Sequence, residues 1–371
     1  GHWEMRKMKY IFDERSEKKH PNEPMLSATQ SEGVILQSKY QGRVVVVNTG
    51  FEGLKLVKDG DFVIHLRSFQ GGIEYAYDRG IISAAYTILN PKYPEFSAYY
   101  KRLFKSSSFI DLLKICVTGI REGQNINYSK LKQCFIPLPP LSEQRSIVSF
   151  LDAKCGMIDE WVTKKQKEVE HLQELKQRVI ADAVTRGLNP HVKMKATNIP
   201  WLKEIPEHWE ALRAKHMFNK EQRPVEEGDE IVTCFRDGEV TLRKNRRTTG
   251  FTEATDYSHY QHICKGDLVI HQMDAFAGSA GVSDSDGMGT PVLSVCTPKS
   301  ANILNEYYAH IVRLMGKNGF ILSLYRGIRE RSSDFRFDTF ANLWLPVPPF
   351  EEQKQIVTHI NLKTSTIDKL I

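Results

Sequence analysis

The sequence has few of the patterns that mark an enzyme active site. It contains no Walker A segment, and its one glycine-rich stretch, Gly278–Gly289, lacks both the G-x-G-x-x-G order and a helix pattern after it. Neither a G-x-S-x-G nucleophile elbow nor a cysteine–histidine arrangement is present. These absences predict a protein that is not itself an enzyme and that needs no cofactor.

Cysteine pairs and long apolar runs are also missing. The six cysteines form no C-x-x-C pair and the histidines do not cluster, so neither disulfides nor a metal site is expected. His65 and His271 each end an apolar run, where a packed histidine is expected rather than a ligand. Because no apolar run approaches 18 residues and the N-terminus does not resemble a signal peptide, a cytoplasmic protein without a membrane span is predicted.

The overall composition is that of a globular protein. The chain has 371 residues, of which 41% are hydrophobic and 26% charged, so it is long enough for two or three domains with their own cores. Its formal net charge is +6. This excess is small, and it favours a polyanionic partner only weakly.

The most informative feature is an internal repeat. Residues 136–145 (I-P-L-P-P-L-S-E-Q-R) recur at 345–354 as L-P-V-P-P-F-E-E-Q-K. The chain is therefore two copies of one module of roughly 200 residues, in the same order. Three further matches lie upstream: H-W-E at 2–4 and 208–210, G-D-x-V-I-H at 60–65 and 266–271, and G-I-R-E at 119–122 and 327–330.

Each module opens with a mixed α/β pattern. Runs rich in β-branched residues predict strands at Gly42–Asn48 and Phe62–His65, and the second copy repeats the latter at Asp267–His271. Helical spacing of apolar residues predicts helices over Ser97–Lys114 and Glu306–Met315.

A long helix is predicted between the two α/β regions. After Pro140 the chain has no proline before Arg186, and apolar residues recur at intervals of three and four on one face of a helix whose opposite face is charged. Ser142 is expected to cap this helix and Gly187 to end it. At about 1.5 Å per residue it would be about 65–70 Å long. Its expected partner is its own repeat, which starts at Glu351, and both ends of the chain are expected to be truncated.

The repeated P-x-P-P-x-x-E-Q segment, followed each time by a helix and accompanied by I-P-E-H-W at Ile205–Trp209, resembles the specificity (S) subunit of type I restriction-modification systems over the whole chain. The resemblance implies that the α/β regions are target recognition domains, each reading one half of a split asymmetric site in double-stranded DNA. It also implies that the helices form an antiparallel coiled coil that separates these domains and binds two adenine methyltransferase (M) subunits. Restriction/translocase (R) subunits would join through the complex.

The predicted architecture is an α/β (α+β) fold with two similar heads separated by a long coiled-coil helix, in a pseudo-two-fold repeat. The expected boundaries are residues 1–140 for target recognition domain 1 and 141–190 for spacer helix 1. Residues 191–350 would form target recognition domain 2, and 351–371 the truncated start of spacer helix 2.

The loop that follows the matched strand is the first candidate for reading DNA. The two heads diverge there directly after an identical G-D-x-V-I-H scaffold, as different half-sites require, and polar side chains on loops read base edges. The two phenylalanines of this loop are expected either to stack on DNA or to anchor the loop in the core. The candidates are Arg67, Ser68, Phe69 and Gln70 in the first head and Gln272, Met273, Asp274 and Phe276 in the second.

The G-I-R-E turn and a basic stretch are the other candidates. Arg121 and Arg329 occur in both copies, which suits phosphate contacts, although pairing with the neighbouring glutamate is an alternative. Residues that differ between copies are expected to contact bases: Gln124, Asn125, Arg331 and Ser332. The stretch from Arg236 to Arg247 would add phosphate contacts or form an ordinary solvated hairpin, with Arg243, Lys244, Arg246 and Arg247 as its candidates.

The adenine methyltransferase motif N-P-P-aromatic is not conserved in this chain. Asn90–Tyr93 reads N-P-K-Y, and Lys92 breaks the pattern. The sequence therefore predicts a non-catalytic specificity subunit whose partners supply the chemistry. Two alternatives stay open: the recognition region of a fused single-chain methyltransferase-nuclease, and a two-headed coiled-coil scaffold that does not bind DNA.

Overall fold

The structure is a computed structural model that describes residues 2–42, 50–118, 125–246, 249, 257–324 and 335–371. The chain forms two compact units, Gly1–Thr163 and Lys164–Ile371. The domain limits expected from the sequence remain a prediction. None of the described helices is both long and apolar enough to cross a membrane.

The first unit is a mixed fold of short strands and helices, as predicted. Its described strands are β1 Glu4–Lys7, β2 Phe12–Arg15, β3 Leu26–Thr29, β4 Gly33–Leu36, β5 Lys55–Val57, β6 Phe62–Ile64, β7 Glu74–Tyr75, β8 Gly80–Ile82, β9 Thr87–Pro91, β10 Val117–Thr118, β11 Asn125–Ile126 and β12 Phe135–Leu138. Its described helices are α1 Ser68–Gly71, α2 Ser97–Leu103, α3 Ser107–Ile115, α4 Tyr128–Leu131 and the start of α5 Leu141–Arg186.

The second unit repeats the same pattern. Its described strands are β13 Met194–Ile199, β14 Leu202–Pro206, β15 Glu210–Arg213, β16 Phe218–Glu221, β17 Val232–Cys234, β18 Val240–Leu242, β19 Gln261–Ile263, β20 Leu268–His271, β21 Ala280–Val282, β22 Gly287–Gly289, β23 Leu293–Pro298 and β24 Trp344–Val347. Its described helices are α6 Asn305–Lys317, α7 Phe320–Ser323, α8 Phe337–Asn342 and α9 Phe350–Asp368.

Each unit is built on a four-stranded antiparallel sheet. The strand order is β2-β9-β6-β7 in the first unit and β16-β23-β20-β21 in the second. The matched V-I-H strand lies inside this sheet and is buried on both faces. Phe62 and Ile64 point into one apolar cluster and Val63 into the other, because successive side chains of a strand alternate between faces. This explains why the scaffold is apolar without alternation.

The start and the end of each head are paired. Strand β1 is antiparallel to β12, and β15 is antiparallel to β24 in the same register, with Glu4 opposite Leu138 and Glu210 opposite Val347. Residues far apart in sequence therefore close each head, and the long helices leave directly from these closing strands.

The long helix α5 is confirmed, with one correction at its start. It contains 46 residues and contributes to both units, so its length is about 69 Å at 1.5 Å per residue. It begins at Leu141, so Ser142 lies in the first turn and does not cap the helix; instead the carbonyl of Pro140 accepts the N–H of Gln144 at 2.9 Å. Gly187 follows the last turn with φ +74°, a left-handed conformation that favours glycine and ends the helix as predicted.

The last turns of α5 pack against α9 within the second unit. Ile180 and Val184 share a core with Ile356 and Ile360, and Lys176 reaches Asp368 at 2.6 Å. Lys176 precedes Ile180 and Val184 on α5, whereas its partner Asp368 follows Ile356 and Ile360 on α9. The two helices are therefore antiparallel here.

One helix prediction is wrong, and one strand prediction lies almost wholly outside the described residues. The single helix expected over Ser97–Lys114 is wrong: Phe104 to Ser106 separate α2 from α3, because the Ser106 hydroxyl accepts the N–H of Phe109 at 3.3 Å and starts a new helix. The strand in question is the one expected over Gly42–Asn48, of which the structure describes only Gly42.

Candidate nucleic-acid interface

The doubled E-Q motif joins the first and last segments of each head. Glu143 accepts a hydrogen bond from His2 Nε2 at 2.9 Å, and Glu352 accepts one from His208 Nε2 at 2.8 Å and a second from Trp209 Nε1 at 3.0 Å. The hydrogen bond from His2 is the main cause that lowers the pKa of the partly exposed Glu143 carboxyl, and the hydrogen bond from Trp3 lowers it further. The H-W-E and E-Q repeats are thus two halves of one structural clasp.

The glutamine of the motif fastens the helix start. The Gln144 amide donates to the Pro139 carbonyl at 2.8 Å, and the Gln353 amide donates to the Pro348 carbonyl at 2.9 Å. Both side chains are buried, which makes these bonds hard to replace. The E-Q motif therefore has a structural role: it fixes the start of α5 and of α9 to the head that precedes each helix.

The loop after β6, residues 66–72, is named recognition loop 1. Arg67 and Gln70 are exposed, whereas Ser68 is buried and its hydroxyl accepts the His65 N–H at 2.9 Å. Phe69 is partly buried and packs against the core. Ser68 and Phe69 therefore anchor the loop in this conformation, which leaves Arg67 and Gln70 as its accessible polar candidates.

The loop after β20, residues 272–278, is named recognition loop 2. The Gln272 amide donates to Ser294 Oγ at 3.3 Å, and Phe276 packs against the core of the second unit. Met273 is exposed, and the half-buried Asp274 carboxylate pairs with Arg236 at 2.9 Å. Gln272 and Phe276 thus hold the loop, while Met273 and Asp274 lie at its surface.

The matched histidines are packed residues, as expected. Nδ1 of His65 accepts the Arg67 N–H and Nδ1 of His271 accepts the Asp274 N–H, both at 3.2 Å. Burial lowers the pKa of His271, which favours the neutral form of the ring that accepts this hydrogen bond. These rings fold each recognition loop back onto the end of its strand.

A hairpin turn lies beside each recognition loop, and sequence reasoning missed both as partners of the loops. Hairpin turn 1 (residues 29–33, between β3 and β4) approaches Gly71, while hairpin turn 2 (residues 235–239, between β17 and β18) contacts recognition loop 2 through the Arg236–Asp274 pair. The loop-exit glycines allow this packing: at Gly72, φ is +87° and a Cβ would overlap the Phe104 carbonyl.

Cations from later segments of each head complete each surface. Lys105 Nζ donates to the carbonyls of Gln30 at 3.2 Å and Gly71 at 3.0 Å, and so joins hairpin turn 1 to recognition loop 1. Lys101 lies over the rings of Tyr77, at 4.6 Å, and Tyr75, at 5.5 Å. No sequence pattern marked these residues, because their neighbours come from separate segments.

The second surface has its own cations on α6. The Lys317 side chain lies beside Gly278, and Arg313 lies against Gly238. Burial lowers the pKa of Lys317, and the nearby Arg313 guanidinium lowers it further. We name the two surfaces face 1 (residues 29–33, 66–72, Tyr77, Lys101, Lys105) and face 2 (residues 235–239, 272–278, Arg313, Lys317).

The basic stretch of the second head is largely compensated by acidic neighbours. Lys244 pairs with Glu230, and Arg246 pairs with Asp237 at 2.7 Å and with Glu239 at 2.8 Å. Arg246 also stacks over the Phe235 ring at 4.3 Å. The nearby Arg243 is half-buried, with its Nε 3.5 Å from Thr233 Oγ1. This favours the hairpin alternative over a free set of phosphate contacts.

Most candidates of the G-I-R-E turn lie outside the described residues. Asn125 is exposed and lies opposite Thr118 in the antiparallel pairing of β10 with β11. The candidates that lie outside the described residues are Arg121, Gln124, Arg247, Arg329, Arg331 and Ser332.

Comparison with known proteins agrees with this architecture. Residues 3–171 match the family model of the type I restriction modification DNA specificity domain. The type I restriction enzyme EcoBI specificity subunit of Escherichia coli is 23% identical over 263 residues, covering 64% of this chain and 53% of that protein. A putative type I restriction enzyme MjaX specificity subunit of Methanocaldococcus jannaschii is 30% identical over 119 residues, 32% of this chain and 26% of that protein. The chain thus spans about half the length, or less, of these curated relatives.

Solved structures extend the likeness of the fold to the whole chain. A chain from a study of complex assembly and conformational transition of the type I R-M system superposes with a TM-score of 0.64 at 16% identity, covering 99% of this chain and 91% of that chain. The HsdS subunit from Thermoanaerobacter tengcongensis gives a TM-score of 0.52 at 16% identity, covering 99% and 90%.

The class that these findings define is a fold of two similar units of mixed helix and strand, with one long helix that contributes to both units. Residues 3–171 match the type I restriction modification DNA specificity domain, and the fold of the whole chain is similar to that of the HsdS subunit and of the type I R-M chain described above. The resemblance recognised in the doubled motif is thereby confirmed.

Proposed function

We propose that this chain is the DNA-recognition subunit of a type I restriction-modification complex, in which each head reads one half of a bipartite asymmetric site. The observation that carries the proposal is that the same surface is built twice on one strand scaffold with different side chains. Face 1 exposes Arg67 and Gln70 where face 2 exposes Met273 and the Asp274–Arg236 pair. Non-identical faces suit a site that is not palindromic.

The exposed groups on the faces fit the chemistry of DNA contacts. Arg67 and Gln70 carry the donors and acceptors that distinguish guanine and adenine edges. Lys101 sits on the Tyr77 ring and Lys317 is partly desolvated, so both are positioned cations that a phosphate would neutralise. We assign these two lysines to phosphate contacts and the loop tips to bases.

The long helix would set the spacing of the half-sites and dock the methyltransferase subunits. Its first half exposes large apolar side chains on a surface that is otherwise charged, which is typical of a protein-binding helix. Phe150, Met157 and Trp161 are each 62% exposed. The docked partner would supply the methyl donor site and flip the target adenine, while this chain is not catalytic. Restriction subunits would join through the same complex.

The experiment that tests the proposal is a methylation map. The full chain would be expressed with its partner methyltransferase in a host, and the methylated adenines of the genome would be read by single-molecule sequencing. The expected result is one bipartite motif with two different halves. An unmethylated genome, or a continuous or palindromic motif, would contradict the proposal.

Variants of one face make the test sharper. Arg67→Ala combined with Gln70→Ala should change or relax the half-site of the first head and leave the other half unchanged, at about 1–3 kcal/mol of lost discrimination per base contact. Met273→Ala should affect only the opposite half. Lys18→Ala removes an exposed cation outside both faces and serves as the control.

Salt dependence separates phosphate contacts from structural cations. Lys101→Ala should weaken binding to cognate and random duplexes alike and reduce the slope of log K against log salt by about one unit. Arg246→Ala should change that slope much less, because its charge is already paired twice. Fluorescence anisotropy at several salt concentrations measures both, and equal slopes for the wild type and Lys101→Ala would refute the phosphate assignment.

A further inference from the structure

Three potential metal ligands meet in the second head, and none of them belongs to face 2. His262 lies in the middle of β19, Cys264 follows this strand directly, and Asp286 precedes β22. One ligand atom from each of the three side chains lies within 4.8 Å of the other two. The cluster combines an imidazole, a thiol and a carboxylate, a set that is distinct from an ordinary exposed acidic cluster.

The His262 ring is held in the orientation that a metal ligand needs. Its Nδ1 is 2.8 Å from Asp229 Oδ2, and the ring is buried. A carboxylate on one ring nitrogen fixes the tautomer and leaves the other nitrogen, Nε2, able to bind a metal. Nε2 is 4.0 Å from Glu226 Oε1, so a second carboxylate approaches the open side of the ring.

The other two ligands stand on fixed turns. The Cys264 N–H donates to Asp267 Oδ2 at 2.8 Å, and Arg223 holds the same carboxylate in an ion pair. The Lys265 N–H donates to Asp286 Oδ1 at 2.8 Å, which leaves the second oxygen of that carboxylate for another bond. The backbone under both ligands is thus set before any metal binds.

We propose that this cluster is a zinc site, with His262 Nε2, Cys264 Sγ and the Asp286 carboxylate as ligands and the Glu226 carboxylate as the fourth. Zinc binds such a set tetrahedrally, with bonds of about 2.3 Å to sulfur and about 2.0–2.2 Å to nitrogen and oxygen. A thiolate beside an imidazole selects zinc over magnesium or calcium, which prefer oxygen. Asp286 and Glu226 are both exposed, so their carboxylates are free to rotate towards an ion held by His262 and Cys264.

The first head provides an internal comparison. Strands β5 and β8 pair as β19 and β22 do, with Val57 opposite Gly80 where Ile263 faces Gly287. Counting from these pairs, the positions of the three ligands are taken by Leu56, Lys58 and Arg79. An apolar residue and two cations cannot hold a metal ion, so the site belongs to the second head alone. It would tie the turn around Glu226 to the edge of that head.

Spectroscopy with cobalt tests the site directly. The full chain without an affinity tag would be stripped with a chelator and titrated with Co²⁺, which reports thiolate ligation by a charge-transfer band and tetrahedral geometry by intense visible bands. The expected result is one Co²⁺ per chain with both features, and displacement by one equivalent of Zn²⁺. Binding without the thiolate band, or no stoichiometric binding, would overturn the proposal.

Three variants identify the ligands. Cys264→Ser should abolish the charge-transfer band, whereas Cys155→Ser, which changes an exposed cysteine on α5, should leave the band and the affinity unchanged. Glu226→Gln changes an exposed side chain and should lower Zn²⁺ affinity at least 10-fold. A band that survives in Cys264→Ser, or is lost in Cys155→Ser, would refute the assignment, and an unchanged affinity in Glu226→Gln would refute the fourth ligand.

Discussion

The two heads share their sheet, their closing strands and their clasp, but they differ in how firmly the clasp is buried. Trp209 is completely buried and donates to Glu352, whereas Trp3 is 39% exposed. Trp209 shares a core with residues from the end of α5 and from α6. Identical motif residues therefore contribute different amounts of stability, because burial and not identity sets the hydrophobic term.

The heads also differ beneath their recognition loops. In the first head the fully buried Glu74 carboxylate pairs with Lys105 at 2.6 Å and lies 3.7 Å from His65 Nε2. In the second head the strand pairing puts Gly281 at the equivalent position, opposite Val269 as Glu74 is opposite Val63. Each loop is thus anchored by different chemistry on one scaffold, which shows how the loops can diverge without a change of fold.

The largest expected difference concerns the tryptophans. Trp209→Ala should destabilise the second unit by about 3–5 kcal/mol, because it empties a packed core position. Trp3→Ala should cost below about 1 kcal/mol, since the side chain is already partly in water. Calorimetry of the full chain would show the transition of one unit moving far more than the other. Equal losses of stability in Trp209→Ala and Trp3→Ala would contradict the expectation that burial decides the contribution of each tryptophan.

The buried carboxylate gives the next largest effect. Lys105→Met would remove the ammonium group that contacts the buried Glu74 carboxylate, at a cost of about 3 kcal/mol. Adding Glu74→Gln should restore most of this loss, because the charge that needed a partner is then gone. Urea unfolding of the single and double variants measures the coupling. Additive losses would mean that Lys105 and Glu74 act independently.

The motif glutamines should differ by a smaller amount. Gln353 makes three bonds, to the carbonyls of Pro348 and Asn302 and from the N–H of Leu304, whereas Gln144 makes one bond within the described residues, to Pro139. Gln353→Leu should therefore destabilise its unit by about 2–3 kcal/mol and Gln144→Leu by about 1 kcal/mol. If thermal unfolding showed a larger loss of stability for Gln144→Leu than for Gln353→Leu, the number of hydrogen bonds would not explain the difference between the two glutamines.

The ion pair between the long helices should contribute least. Lys176 and Asp368 are both partly exposed, so Lys176→Ala should cost below about 1 kcal/mol and less in high salt. Lys165→Ala, which breaks a pair within α5 alone, is the matched control. A double-mutant cycle with Asp368→Ala isolates the interhelical coupling, and a coupling above about 1 kcal/mol would contradict this estimate.

Most strands and helices of the scaffold were predictable, because each depends on residues that are close together in the sequence. The apolar V-I-H run, the uninterrupted heptad-like spacing up to Arg186 and the Gly187 stop each act within a few residues, and each was found where predicted. The helix over Ser97–Lys114 was mispredicted because one serine side chain competes with the backbone, a choice that apolar spacing does not reveal.

The candidate interface was predictable only in part. Divergence after a constant strand identified the recognition loops, but it did not reveal that Ser68 and Gln272 turn inward. Nor did the density of cations in the basic stretch show that Arg246 faces two carboxylates. Charge pairing depends on which segments meet across a turn, and a one-dimensional count does not contain that information.

The sequence by itself determined that the chain has two copies of one module, that a long helix follows the first, and which family it resembles. These features depend on the sequence repeat and on the spacing of apolar residues, which can both be read directly from the sequence. Only the tertiary structure decided that the H-W-E and E-Q repeats form one clasp, that hairpin turns and cations from later segments join the recognition loops, and that His262, Cys264 and Asp286 come together. The physical reason is that strand pairing and core packing bring together residues that no sequence interval connects.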